Sequence, residues 1–140
     1  MVFLMETKCS KKRVMEVCSK LKFDSCLVVE SSRSSGGLVL MWKSHVKVVI
    51  YNYLRWHINA HVTTDPEAPT WLLTGFYGHP ETSKRNWSWE FLKAIKLVAS
   101  TPWLCCGDFN EITCQGEEEG GCPRPYTQME IFRVPLNVAH

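Results

Sequence analysis

The chain has 140 residues, 45% of them hydrophobic and 11% aromatic, so one hydrophobic core is possible and the composition indicates a globular rather than a disordered protein. The formal net charge of +2 argues against a dedicated basic nucleic-acid-binding protein, although it permits a nucleic-acid substrate. No apolar run is long enough to span a membrane, and seven cysteines without a Cys-x-x-Cys pair indicate reduced thiols in an intracellular compartment.

Short strands surround one amphipathic helix in the first half of the chain. The apolar run Val2–Met5 predicts the first strand. Lys11–Leu21 predicts a helix, because Val14, Val17 and Leu21 recur at helical spacing and would share one buried face. The other predicted elements follow in chain order: a strand over Ser25–Glu30, a turn over Ser31–Gly37, and strands over Leu38–Trp42, Val46–Asn52 and His57–Val62.

Helical patterning is stronger in the second half of the chain. Asn86–Ser100 predicts the longest helix, with Ser83 as a candidate cap. Its predicted apolar stripe consists of Trp87, Phe91, Ile95 and Val98. The other predicted elements are a loop over Thr63–Pro69, strands over Trp71–Phe76 and Trp103–Cys106, a loop over Glu117–Gly121 and a final helix over Thr127–Val134.

Polar residues follow three of the predicted strands. Gly107-Asp108-Phe109-Asn110 follows the apolar run Trp103–Cys106. If this stretch stays extended, Asp108 and Asn110 point the same way and could reach one phosphate or water. The alternative is an ordinary turn in which Asn110 adopts the left-handed conformation. Glu6 follows the first strand and Tyr77 follows Trp71–Phe76, where a solvated carboxylate and a packed ring are the structural alternatives.

Several other segments carry weaker signals. Lys8, Lys11, Lys12 and Arg13 form a candidate phosphate-steering patch, or else a solvated helix start. The candidate roles of His79 are a contact to a nucleic-acid backbone and a turn residue before proline. Gly36-Gly37 is interpreted as a turn into the Leu38 strand, because no Lys-Ser/Thr pair and helix follow it.

With these strand ends the chain resembles the endonuclease/exonuclease/phosphatase superfamily, the fold of DNase I-like nucleases. Within it, the chain looks closest to the endonuclease domain of plant non-LTR (LINE-type) retrotransposons. The resemblance implies an α/β fold, a four-layer α/β/β/α sandwich, with residues 1–140 as one partial domain. The matching segments are Phe3–Lys8, Ser34–Leu38, His57-Ile58, Thr74–Pro80, Pro102–Ile112 and Glu118–Phe132.

Four site residues are implied by the resemblance. Glu6 matches the metal-binding carboxylate, and its ion would be Mg²⁺ with Mn²⁺ as an alternative. Asp108 matches the residue that orients or deprotonates the attacking water, and Asn110 its phosphate-binding partner. Tyr77 matches a tyrosine that hydrogen-bonds the phosphate. The implied substrate is DNA, with RNA as an alternative, which would place the protein inside the cell and in the nucleus.

The chain departs from the family pattern at both ends. The family begins with a strand that carries an Asn, whereas no such strand precedes Val2, and His140 does not match the family's carboxy-terminal Ser-Asp-His segment. Asn59 also stands where the family usually has Asp. We therefore expect a truncated domain with impaired or absent activity, because catalytic residues act as a unit. Three functions remain open: a Mg²⁺-dependent DNA endonuclease of retroelement origin, a phosphatase or exonuclease of the same superfamily, and a non-enzymatic nucleic-acid-binding product or remnant.

Overall fold

The structure is a computed structural model that describes residues 1–31, 36–120 and 122–136. Within these ranges it has seven strands and three α-helices, which confirms the predicted mixed α/β fold. The Ser34-Ser35 pair, Gly121 and His140 lie outside the described residues. The strands are β1 (Val2–Leu4), β2 (Ser25–Val29), β3 (Leu38–Trp42), β4 (Lys47–Leu54), β5 (His57–Thr63), β6 (Trp71–Tyr77) and β7 (Trp103–Asp108), and the helices are α1 (Lys11–Lys20), α2 (Arg85–Val98) and α3 (Tyr126–Leu136).

The strands form two sheets. One sheet has the order β1-β3-β2 and is antiparallel throughout. The other has the order β4-β5-β6-β7, and its first three strands form antiparallel pairs. The backbone amide of Leu72 donates to Pro102 at 2.8 Å, and Gly107 lies against the Phe76 carbonyl. Because both contacts advance in the same direction along the two strands, β7 runs parallel to β6, as expected for strands joined through a helix.

The backbone divides into two compact units. The strand unit consists of Met1–Tyr77 and Ser100–Gly107, and the helix unit of Gly78–Ala99 and Asp108–His140. The strand unit therefore holds nearly all of both sheets together with α1, whereas α2 and α3 belong to the helix unit. In the described residues, no helix has the length and apolar character required to cross a membrane.

Two apolar clusters hold the strand unit together. Leu38 and Leu40 of β3 pack against Ile58 and Ala60 of β5, and all four side chains are fully buried. The opposite face of β3 packs against α1, so α1 and the two sheets form three successive layers. Full burial of one such aliphatic side chain contributes about 1.5–3 kcal/mol. Gly75 of β6 permits close contact between the sheets, because a Cβ there would fall on the ring of Phe3.

The predicted helices form, but their buried faces differ from the predicted ones. In α1, Val14 and Cys18 are buried, whereas Leu21 lies after the helix and is exposed. In α2, Trp89, Leu92 and Ile95 are buried, whereas Trp87 is 82% exposed and Val98 76%. Two overlapping stripes of apolar residues have helical spacing in α2, and the packing partner decides which stripe is buried. The centroid of the Trp89 ring lies 4.5 Å from the centroid of the Phe132 ring in α3.

The start of α2 also differs from the prediction. Ser83 lies within a single 3₁₀ turn, Thr82–Lys84, and the helix begins at Arg85 without a side-chain cap. At the other end of the chain, α3 is longer than predicted and includes Pro135 in its last turn. The predicted loop after β5 is present, and Gln115–Glu117 forms a further 3₁₀ turn before the acidic Glu118-Glu119 segment. Most of the predicted Ser31–Gly37 turn, residues 32–35, lies outside the described residues.

Candidate functional site

Glu6 lies two residues after the end of β1 and has three partners in the strand unit. Its Oε1 accepts a hydrogen bond from the backbone amide of Gly36 at 3.1 Å, and its Oε2 lies 3.0 Å from Lys8 Nζ. The hydroxyl of Tyr77 donates a further hydrogen bond to the carboxylate. The hydrogen bond from Lys8 lowers the pKa of Glu6 most, and those from Tyr77 and Gly36 lower it further, against the opposing effect of burial. Glu6 is therefore ionised at neutral pH.

The backbone around Glu6 has an unusual conformation. Glu6 has φ +52° and Lys8 has φ +48°, a region that residues other than glycine seldom occupy. The amides of Thr7 and Lys8 donate to the carbonyls of Gly37 and Gly36 at 3.2 and 3.1 Å. A Cβ at Gly37 would collide with Thr7, so glycine is required there. The Gly36-Gly37 turn thus supports the Glu6 segment, a role that its sequence context does not indicate.

Tyr77 is the last residue of β6, and its ring is buried. Its amide donates to the carbonyl of Trp56 at 2.8 Å, and the two rings stack at a centroid distance of 5.7 Å with 21° between their planes. The structure therefore brings together two of the four predicted site residues, Glu6 and Tyr77, within the strand unit. Trp56 belongs to their surroundings but carried no functional signal in the sequence.

Asp108 and Asn110 lie together in the helix unit. β7 ends at Asp108, and Asn110 has φ +54°, so the stretch is a turn rather than the continued extended strand considered above. The Asn110 amide donates to Asp108 Oδ1 at 2.8 Å, and Asn110 Nδ2 donates to the Gly78 carbonyl at 2.8 Å. The turn, and not strand alternation, therefore joins the Asp108 side chain to the backbone of Asn110. Gly78 is required beside it, because a Cβ there would collide with the Phe109 carbonyl.

A buried ion pair that sequence reasoning missed adjoins this turn. The Arg85 guanidinium lies 3.3 Å from the Glu111 carboxylate, with side chains 8% and 0% exposed. Arg85 also donates to the carbonyls of His79 and Pro80 at 3.3 and 3.2 Å. Since Glu111 directly follows Asn110, the pair links the Asp108–Asn110 turn to the loop that follows β6. Nothing in the spacing of these residues along the chain indicates the contact.

His79, the candidate histidine, and His57, which lies in a matching segment, both have structural surroundings. His79 Nδ1 accepts from the Glu81 amide at 3.1 Å, as in a local turn. His57 is buried, and its Nε2 lies 3.1 Å from Asn52 Oδ1, which also accepts from Asn59 Nδ2 at 2.8 Å. Burial lowers the pKa of His57 to about 4, so this imidazole is neutral at physiological pH.

The fit of a metal ion to the candidate residues depends on Glu6. Among the described residues, no cluster of three or more His, Cys, Asp or Glu side chains could hold a metal ion. Mg²⁺ is commonly bound by one or two carboxylates together with waters and substrate phosphates, so an ionised, 31% exposed Glu6 side chain fits this ion.

Two comparisons with known proteins found matches to the chain. A model described as "Endonuclease/Exonuclease/phosphatase family" matches residues 1–126. Among solved structures, the human Nocturnin catalytic domain with bound sulfate anion matches with a TM-score of 0.50 and 16% identity. That match covers 79% of this chain and 51% of the Nocturnin chain, so this chain spans about half of that structure. No curated protein matches the chain.

Each comparison supports a statement of different scope. At 16% identity the likeness to Nocturnin shows the fold alone, and it confirms the DNase I-like α/β fold predicted from the sequence. The family model supports a statement about the family as well as the fold, because it covers nine-tenths of the chain. The covered residues include Glu6, Tyr77, Asp108 and Asn110. The chain belongs to the endonuclease/exonuclease/phosphatase family.

Proposed function

We propose that this chain is part of a Mg²⁺-dependent nuclease that hydrolyses DNA phosphodiester bonds and derives from a plant LINE-type retroelement. The observation that carries the proposal is the ionised Glu6 carboxylate, which is hydrogen-bonded by the Tyr77 hydroxyl. The family membership supports phosphoester chemistry, and the resemblance of the strand-end motifs supports DNA as substrate and the retroelement origin. A DNA substrate implies that the protein acts in the nucleus.

Phosphodiester hydrolysis needs an activated water and a means of stabilising charge on phosphate oxygens. Glu6 would hold Mg²⁺, which when bound neutralises charge on the scissile phosphate and the leaving oxygen. Tyr77 would donate its hydroxyl hydrogen to a phosphate oxygen. These two residues already contact each other in the strand unit, so the proposed roles require only that the Tyr77 hydroxyl exchange one oxygen acceptor for another.

In the helix unit, Asp108 would accept the proton of the attacking water, or orient that water. Asn110 Nδ2 carries two hydrogens, and its contact with the Gly78 carbonyl uses one of them. The second hydrogen would donate to a phosphate oxygen or to the water. The left-handed conformation of Asn110 is therefore part of the proposed mechanism, because it fixes where the amide points.

Plasmid nicking tests this proposal. In line with the impaired activity expected of a partial domain, we expect the purified chain to convert supercoiled plasmid into the open circle only slowly with Mg²⁺, and we expect EDTA, Asp108→Asn and Glu6→Gln to abolish the conversion. Lys93→Gln, a change in an exposed pair of α2, is the matched control and should nick normally. Nicking that persists in Asp108→Asn and Glu6→Gln would contradict the assigned roles.

A second measurement separates metal binding from catalysis. We expect Mn²⁺, followed by its electron paramagnetic resonance signal, to bind the wild-type chain and to bind Glu6→Gln at least tenfold more weakly. Mn²⁺ binding at Glu6 without nicking would favour the non-enzymatic nucleic-acid-binding alternative. Release of inorganic phosphate from monoesters without nicking would favour the phosphatase alternative.

A further inference from the structure

The two-residue turn between β4 and β5 carries an arginine on an aromatic stack. Arg55 and Trp56 form this turn, and Leu54 pairs with His57 on either side of it. The Arg55 guanidinium carbon lies 4.8 Å from the centroid of the Trp56 ring, and that ring stacks on Tyr77. An ordered series thus runs from Arg55 through Trp56 to Tyr77, whose hydroxyl contacts Glu6.

Two further contacts fix this stack in the strand unit. The Trp56 carbonyl accepts from the Tyr77 amide at 2.8 Å, so the turn is tied to the end of β6. Arg55 Nε lies 3.9 Å from the position that a Cβ on Gly36 would take, which is ordinary van der Waals distance. Gly36 in turn donates its amide hydrogen to Glu6. Arg55 therefore approaches both the Glu6 support and the Tyr77 ring from the turn.

The chemistry of a guanidinium in this position suits a phosphate. Stacking uses the flat face of a guanidinium, whereas its N–H donors lie in its plane, in a fork that matches phosphate oxygens. Stacking on a partly buried tryptophan such as Trp56 contributes about 0.5–2 kcal/mol, and it removes rotamer freedom that Arg55 would otherwise lose on binding a ligand.

We propose that Arg55, oriented by Trp56, binds a backbone phosphate of the DNA strand next to the phosphate held at Tyr77. This inference rests on the proposed function, because it takes Tyr77 as the residue at the scissile phosphate. Trp56 acts as a positioning residue, because its ring orients the Arg55 guanidinium and also stacks on the Tyr77 ring.

The salt dependence of DNA binding tests this inference without catalysis. The full chain is titrated with a fluorescein-labelled 20-base-pair duplex in EDTA, by anisotropy, at several NaCl concentrations. Loss of one phosphate contact lowers the slope of log K against log[salt] by about 0.9. We expect Arg55→Gln to lower the slope by this amount. Lys47→Gln removes the same charge at the exposed start of β4, roughly 25 Å along the strand from Arg55, and should leave the slope unchanged.

Variants of Trp56 separate positioning from charge. Trp56→Leu keeps every cation but removes the aromatic plane, so we expect weaker binding and a reduced slope, whereas Trp56→Phe should restore both. Circular dichroism checks that each variant is folded. An unchanged slope in Arg55→Gln, or an equal fall in Lys47→Gln, would overturn the inference. A wild-type chain that binds the duplex with this Arg55 contribution but does not nick plasmid would contradict the nuclease proposal alone.

Discussion

The buried pair of Arg85 and Glu111 yields the sharpest stability prediction. Their side chains are 8% and 0% exposed, and 3.3 Å separates them. Glu111→Gln keeps the shape of the side chain but removes the negative charge, so the Arg85 cation stays buried without a counter-charge. Breaking a buried pair in this way costs about 3–5 kcal/mol. Arg85 retains its two carbonyl acceptors, at His79 and Pro80, so we expect a loss near the lower end, about 3 kcal/mol.

A neighbouring arginine adds little to this loss. Arg124 lies 3.5 Å from Glu111, but it is 23% exposed and also binds Glu118 at 3.1 and 3.2 Å. It therefore keeps a carboxylate partner when Glu111 is changed. Gln128 donates to Glu111 at 2.5 Å, and the amide oxygen of a glutamine can still accept that hydrogen bond. The predicted effect thus arises mainly from the desolvated charge of Arg85.

Urea denaturation followed by circular dichroism measures the free energy of unfolding. A loss of about 3 kcal/mol raises the unfolded-to-folded ratio more than a hundredfold, since 1.4 kcal/mol corresponds to tenfold. Glu90→Gln is the matched control: it removes the same charge from an exposed pair with Lys93 in α2 and should cost less than about 1 kcal/mol.

A double variant identifies the source of the loss. Arg85→Met combined with Glu111→Met removes both charges, so we expect it to be more stable than the sum of the two single losses predicts. A loss below about 1 kcal/mol in Glu111→Gln, or additive losses in the double variant, would refute the reasoning that burial of an unpaired charge dominates.

Three further predictions concern titration, packing and thiol reactivity. Burial lowers the pKa of His57 from 6.5 to about 4, so its contribution to stability is complete above pH 6.5 and is lost as the pH falls towards 4. In urea melts over that pH range, the free energy of unfolding of the wild type should fall by about 3 kcal/mol more than that of His57→Gln. Equal losses in the two proteins would contradict this prediction. Gly75→Ala places a methyl group on the ring of Phe3 in β1 and should lower the free energy of unfolding by about 1–3 kcal/mol. Gly116→Ala is the control and should change the stability little, because the added Cβ meets no atom within 4 Å. Equal melting temperatures of the two variants would disprove the close contact. Burial raises the pKa of Cys105 to about 12, so Ellman's reagent should modify the exposed Cys114 before Cys105 in the folded chain. Mass spectrometry of the early products identifies the modified cysteine. Modification of Cys105 before Cys114 would contradict the raised pKa.

Local signals in the sequence predicted where most elements lie. Apolar runs with period-two or continuous patterning predicted the strands within one or two residues, because burial on a sheet face requires that pattern. The strand ends followed from the same runs, and they placed Glu6, Tyr77 and Asp108 at the ends of β1, β6 and β7. These assignments depend only on residues close together in the chain.

The buried helix faces could not be read from the chain alone. Helix α2 has apolar residues on two overlapping stripes, and either stripe satisfies helical periodicity. The contact between Trp89 and Phe132 decides that Trp89 is buried and that Trp87 is exposed. Phe132 lies more than forty residues away in the sequence, so no local pattern carries this information.

The sequence by itself determined the elements and the residue types at their ends, because hydrophobic patterning and turn chemistry act over a few neighbouring residues. The tertiary structure alone decided which groups contact these residues. The pKa of Glu6 is lowered because Lys8, Tyr77 and Gly36 meet at its carboxylate, and Asn110 points to Gly78 because its turn closes onto the loop after β6. Most of these contacts join residues 30 or more positions apart in the chain, and packing and hydrogen bonding across that separation leave no periodic trace in the sequence.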